Sequence, residues 1–421
     1  MEDDEIMIDI NAIMTKNRDE DGLSSRLRCI YRVPPMIRHL KRQAYTPQVV
    51  SIGPFHHGDK RLKDMERHKE IVFKRFVEKS AMVDLDTLVN FAKQSELKVR
   101  ASYSENINLS KKDLVKLILV DAAFIIELFR MSYERVPEIF KDAKLSQLKL
   151  REAVYLDLLL LENQLPFFFL EELFNIAFPI DLSVDCRSFL ELTYSYFCSG
   201  NIQSLEPHSN IRIKHFTDLL RLFYLPERKS IRHGFKGDRS DFPSYSANEL
   251  QEAGVKLKKS TSKCLLNLKF SRPVLEIPQI HVDDATETLF RNMIALEQCH
   301  YPYESYFVDY IFALDCLVNT NKDVEVLTHK KIIENWLGDA DEVAALFNGL
   351  GKNIGSSDFS VEYLDTWRRL NKFYQDPCHK RLATLRRDYC NTPWRTVASI
   401  AGIILLILTI IQTIFSILQV V

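Results

Sequence analysis

Residues 114–129 read LVKLILVDAAFIIELF, and Ser110-Lys-Lys-Asp113 stands directly before them. A serine followed three places later by an acid is the pattern that closes the first turn of a helix. The run behind it is apolar on nearly every face, which places that helix inside a large domain rather than on its surface. Working outward, residues 151–165, REAVYLDLLLLENQL, form a second buried helix that Pro166 cannot continue. The same proline can open the next helix, PFFFLEELFNIAF, at its first position. Asp284-Ala-Thr-Glu287 and Asp339-Ala-Asp-Glu342 read as two more helix starts, the second just after Gly338 stops a preceding helix.

Only residues 264–282, CLLNLKFSRPVLEIPQIHV, look strand-like, as a short hairpin or small sheet. From Cys29 to Lys60 the prolines Pro34, Pro35, Pro47 and Pro54 break any long helix, so this stretch packs as extended segments and turns. The expected architecture is mainly α: residues 1–25 an acidic, disordered N-terminus, and 26–392 one helical domain. That domain is open to division into two lobes at an exposed loop over 229–246, and residues 393–421 form a single C-terminal transmembrane helix. The last expectation rests on residues 397–421, which carry no charge and as a helix would exceed the roughly 30 Å of bilayer hydrocarbon. The basic flank Lys380, Arg381, Arg386, Arg387 and Arg395 then places the N-terminal domain in the cytosol, with the plasma membrane as the expected membrane. Cys390, a few residues before the run, is sterically open to palmitoylation.

Composition narrows the function. With 421 residues and 46% apolar side chains the chain can bury a sizeable core. A formal net charge of −1 gives no general pull toward nucleic acid. Twelve glycines disfavour phosphate-cradling loops. The nearest approach, Gly349-Leu-Gly351-Lys-Asn-Ile-Gly355, has the wrong spacing and reads as a helix stop with a loop. The eight cysteines include no CxxC pair, so no zinc pattern is present. HExxH, GxSxG and EF-hand signatures are absent too. No cofactor and no metal is implied.

One constellation carries possible chemistry. His56-His57 in GPFHHG, with the buried-looking acids Asp121, Asp157 and Glu162, has the residue types of an acid–base pair or a metal site. The competing reading is structural: inside a helical core such groups satisfy one another, because burying any one alone is costly. Glu162-Asn163-Gln164 stands just before Pro166, where side chains can take up backbone groups that lose their helical partners. Arg291 reads as the partner of one of the buried acids, and Arg291-Asn292 with Glu297-Gln298 as ties from one helix to its neighbours.

Read together, several segments resemble one family. They are IYRVPPMIR (30–38), AYTPQVVSIGPFHHG (44–58), LKDMERHK (62–69), VDAAFIIELF (120–129), DLLLLENQLPFF (157–168) and EIPQIHVDDATETLFRNMIALEQ (276–298). Pro393-Trp394 ahead of an apolar run holding Gln412-Thr413 belongs with them. This combination is similar to the plant-specific "domain of unknown function 247" proteins. The resemblance implies a membrane-associated plant protein with one C-terminal span and no established enzymatic activity. It also implies kinship with grass members linked to pollen–stigma self-incompatibility, and it supplies no catalytic residue. The resulting expectation is a non-enzymatic recognition or signalling component with a lipid bilayer and a protein as partners. Variable recognition then falls on residues 200–212 and 229–246. The alternative is a membrane-tethered enzyme using His56 and His57 with the buried carboxylates.

Overall fold

In the computed structural model, residues 26–80, 83–133, 144, 146–179, 187–208, 210–226, 245–354, 361–377 and 393–420 are described. After a single helical turn at Pro35–Arg38, the helices in chain order are α1 (Lys63–Lys79), α2 (Leu85–Ala101), α3 (Lys111–Tyr133), α4 (Leu148–Asp157), α5 (Phe167–Ala177), α6 (Phe189–Tyr196) and α7 (Phe216–Tyr224). The short α8 (Ala247–Glu252) leads into strands β1 (Lys256–Lys259), β2 (Lys269–Ser271), β3 (Val274–Ile277) and β4 (Ile280–Val282). After these come α9 (Thr286–His300), α10 (Tyr306–Leu317), α11 (Asn321–His329), β5 (Ile333–Asn335), α12 (Ala340–Leu350), α13 (Val361–Gln375) and α14 (Pro393–Val420).

The chain divides into two compact units. Unit 1 takes residues 1–229, 283–308 and 349–357, and unit 2 takes 230–282, 309–348 and 358–421.

Unit 1 is built on α3. The Ser110 hydroxyl accepts from the Asp113 N–H at 3.1 Å, closing the first turn. Behind that cap, Ile118, Ala122, Phe124, Ile125, Ile126 and Phe129 are fully buried, so the helix shows apolar side chains all round. α1, α2, α5 and α6 pack against it. Phe129 anchors an aromatic cluster, stacking on Tyr196 at 4.3 Å and meeting Phe197 edge-on at 5.6 Å. α9 joins this unit by packing against α7. Its N-cap is Ala285, without a side-chain cap, and the acid that meets the helix start is Asp283, not the expected Asp284: Asp283 Oδ1 accepts from the Thr286 N–H at 3.0 Å.

Unit 2 carries the β structure. β2 and β3 pair antiparallel as a hairpin and β1 adds parallel to β3, giving the order β1-β3-β2, while β4 and β5 pair parallel in a second small sheet. Alternation fixes the buried face: Leu275 and Ile277 point inward with Phe270 from the partner strand. Asp339 caps α12 by accepting from the Asp341 N–H at 2.9 Å. Gly338 (φ +88°) precedes it, but it ends the turn after β5, not a helix.

The expected transmembrane helix is corrected. α14 is a helix, but among the described residues no helix is long and apolar enough to cross a membrane. The single-pass, C-terminally anchored plasma-membrane localisation drawn from that helix loses its basis. Lys380, Arg381, Arg386, Arg387 and Cys390 lie outside the described residues, as do residues 1–25 and 229–244, while Arg395 falls in the first turn of α14.

His215 shows how closely the unit 1 framework is wired. Fully buried at the N-cap of α7, it donates through Nε2 to the Cys29 carbonyl at 3.0 Å and accepts at Nδ1 from the Asp218 N–H at 3.3 Å. Burial pushes its pKa down to about 4, against the opposing charge of Asp218. The unfolded chain therefore takes up this proton first. The stabilisation is complete above about pH 6.5 and is lost as pH falls toward 4, by about 1.4 kcal/mol per pH unit. Burial pushes the Asp157 carboxyl up to about 6, which works in the opposite sense. Comparing wild type with His215→Gln cancels that contribution. Denaturant unfolding at pH 6.5 and pH 5 should show the advantage of the wild type shrinking by about 2 kcal/mol. Equal slopes in the two proteins would contradict this role.

Candidate functional site

The proline-broken segment before α1 bonds its backbone to itself only in short turns, so the extended groups between them must find partners elsewhere. They come from the three-residue run Glu162-Asn163-Gln164 and from two buried aspartates. Asp157 closes α4, where a carboxylate faces the negative end of the helix. It is held there by three backbone donors, the N–H groups of Gln48, Val49 and Val50 at 2.8, 2.7 and 2.8 Å. Asn163 accepts from the Ile52 N–H at 2.7 Å and donates to the Val50 and Asp157 carbonyls. Gln164 donates to the Leu158 and Leu160 carbonyls that the end of α4 leaves open, and accepts from the Phe216 N–H. From α9, Asn292 reaches across to the Leu161 N–H and the Ala44 carbonyl.

Glu162 is the charged centre of this array. Its Oε1 accepts from the Val33 N–H at 2.8 Å and from the Arg38 guanidinium. Its Oε2 lies 3.3 Å from His56 Nε2 and 3.5 Å from Arg32. Burial pushes its carboxyl up, but His56, the Val33 N–H and Arg38 outweigh that and hold it below the usual glutamate range.

Asp121, on α3, forms a separate centre. Its Oδ2 accepts from the Gly53 N–H at 2.8 Å, and its Oδ1 pairs with the Lys69 ammonium, both side chains being fully buried. Lys69 spends its other two protons on the Ser51 carbonyl at 2.8 Å and on Glu66 at 2.8 Å. Burial raises the Asp121 pKa, with the Lys69 charge opposing it.

The sequence candidates therefore separate. His56 goes with Glu162, Asp157 stands alone against residues 48–50, and His57 is exposed. His57 lines a surface cleft of about 580 Å³ together with Asp59, Lys63, Glu66, Lys116 and Asp121. Of the acids it is Asp121 that shares a cleft with a histidine, and both its oxygens are engaged. Among the described residues no group of three or more His, Cys, Asp or Glu side chains could hold a metal ion. Arg291 pairs with Glu287 on its own helix at 2.9 Å. The buried arginine–acid pair of this region is Arg221 with Glu297, at 2.8 Å.

Lys69, Arg38 and Arg221 escaped the sequence reading, and only Lys69 left a local signal. It falls in the stripe Met65, Lys69, Val72, Phe76, at the spacing of one buried helix face.

A helical scaffold whose buried acids are spent on backbone N–H groups and cations is the class this geometry defines. A family model described as "Plant protein of unknown function" (DUF247) matches residues 30–408, and the chain belongs to that family. UPF0481 protein At3g47200 of Arabidopsis thaliana is 30% identical over 415 residues, covering 93% of this chain and 86% of that protein. Putative UPF0481 protein At3g02645 of the same plant is 21% identical over 505 residues, covering 96% and 93%. No solved structure matches the chain.

Proposed function

We propose that this plant protein is a non-enzymatic recognition component, a helical scaffold that holds a polar loop in fixed shape for a protein partner. The observation that carries the reading is how residues 201–208 are tied. Asn201 accepts from the Leu205 N–H at 2.9 Å and donates to the Leu205 carbonyl at 2.8 Å. Gln203 donates to the Phe223 and Leu225 carbonyls at 2.7 and 2.9 Å, at the end of α7. Ser204, Glu206 and His208 are left exposed on that pinned base. A pre-shaped loop loses less conformational entropy on binding, which favours affinity.

The enzyme alternative has the His57 cleft in its favour. Against it, Asp121 is paired with the Lys69 ammonium and bound by the Gly53 N–H, so both its oxygens are engaged in holding the fold.

The test is proximity labelling from the full chain in plant cells, wild type against a Ser204→Ala/Glu206→Ala/His208→Ala variant, with His57→Ala alongside. The expected result is a reproducible partner set that the triple variant loses and His57→Ala keeps, at unchanged thermal midpoints. A partner set indifferent to the loop, or one that His57→Ala abolishes, would overturn the proposal.

A further inference from the structure

A second cavity in unit 1, of about 880 Å³, lies away from the His57 cleft and takes no part in the array around Glu162. Its size is that of a small-molecule site. The apolar wall is made by Leu128, Leu156 and the rings of Tyr155 and Tyr196. Both rings are fixed before any ligand arrives. Tyr196 is stacked on Phe129 at 4.3 Å, and Tyr155 is tied through its hydroxyl to Ser199 at 3.1 Å. Their centroids are 6.0 Å apart, so together they offer one continuous aromatic surface.

The rim decides the charge of the occupant. Among the described residues, Arg151 is the one cation on it, against the three acids Glu152, Asp283 and Asp284. Asp283 spends Oδ1 on the start of α9, while Glu152 and Asp284 are exposed to solvent. An anion would meet a net negative rim, and a neutral ligand would leave these charges unused. A cation gains from the acids and from the tyrosine faces, whose π-electrons attract positive charge.

We propose that this groove binds a small organic ammonium ion with an apolar, preferably aromatic, body: the head at Glu152 and Asp284, the body against Tyr155 and Tyr196. The site is independent of the recognition loop proposed above.

The test is calorimetric titration of the full chain with tryptamine and with uncharged N-acetyltryptamine. Tryptamine should bind, and the N-acetyl compound at least about fivefold more weakly, as expected when exposed acids each contribute two- to fivefold. The double variant E152Q/D284N should lower tryptamine affinity by about five- to twentyfold and leave N-acetyltryptamine unchanged. Tyr155→Phe should bind as the wild type does and Tyr155→Ala should lose binding, with thermal midpoints recorded for each variant. Equal affinities for the two amines, or no binding of tryptamine up to millimolar concentration, would overturn the assignment. The comparison of the two amines needs only the wild-type chain, so a variant that fails to fold leaves the proposal testable.

Discussion

Asp121→Ala should destabilise the protein by about 3–5 kcal/mol, because it removes the fully buried counter-charge of the Lys69 ammonium and leaves only the partly exposed Glu66. Lys69 is fully buried and its three protons go to Asp121, Glu66 and the Ser51 carbonyl. Removing the strongest of these acceptors leaves a fully buried ammonium with one weaker, partly exposed carboxylate. Lys69→Met should cost less. The Asp121 carboxyl, already raised by burial, can take a proton and keep its bond from Gly53. The double variant Lys69→Met/Asp121→Leu should lose far less than the sum of the singles, with a coupling on the order of 2 kcal/mol. What remains is chiefly the unsatisfied Gly53 N–H, about 1–3 kcal/mol. Denaturant midpoints for the four proteins check this, and additive losses would contradict an interacting pair.

Gly53→Ala should be of similar size and for a different reason. Gly53 has φ +70°, a conformation that already disfavours alanine. An added Cβ would stand 2.5 Å from the Gln164 carbonyl oxygen and 2.8 Å from the Tyr103 hydroxyl. These two groups are bonded to each other at 2.8 Å, so neither can retreat without breaking a buried hydrogen bond. A loss of roughly 3 kcal/mol or more is expected. Gly58, at φ +83° with nothing within 4 Å of an added Cβ, is the internal control. Its alanine variant should cost only about 1 kcal/mol of backbone strain. Equal losses at the two glycines would show that the close approach at Gly53 contributes nothing.

How far the fold was legible follows from these same residues. α3 was readable because its signals are local: a serine cap, then a run apolar on every side. The strand-like reading of 264–282 held for β2, β3 and β4, since alternation and the proline break lie within a few residues, but it missed β1 and β5, which lie outside that stretch. The bonds of Glu162-Asn163-Gln164 were partly readable, because Pro166 announces that backbone groups are left open there. Their partners were not. Val33, Val50, Ile52 and Phe216 lie 52 to 129 residues away, and no local pattern specifies such a pairing. The arginine that meets the buried Glu297 of α9 is Arg221 and not Arg291, because α7 packs on α9 across 76 residues of sequence. The C-terminal run misled for the opposite reason. Its composition is local and emphatic, but among the described residues no helix is long and apolar enough to cross a membrane.

The central claim is that the buried acids and amides are the frame that holds residues 48–53 to the helices, and are not held in reserve for chemistry. Amide hydrogen exchange on the wild-type chain tests it most directly. The N–H groups of Val50, Ile52 and Gly53 are bound by Asp157, Asn163 and Asp121. They should therefore exchange as slowly as the amides in the middle of α3, although they lie outside any helix or strand. Exchange at these three positions as fast as in an exposed loop would contradict the account.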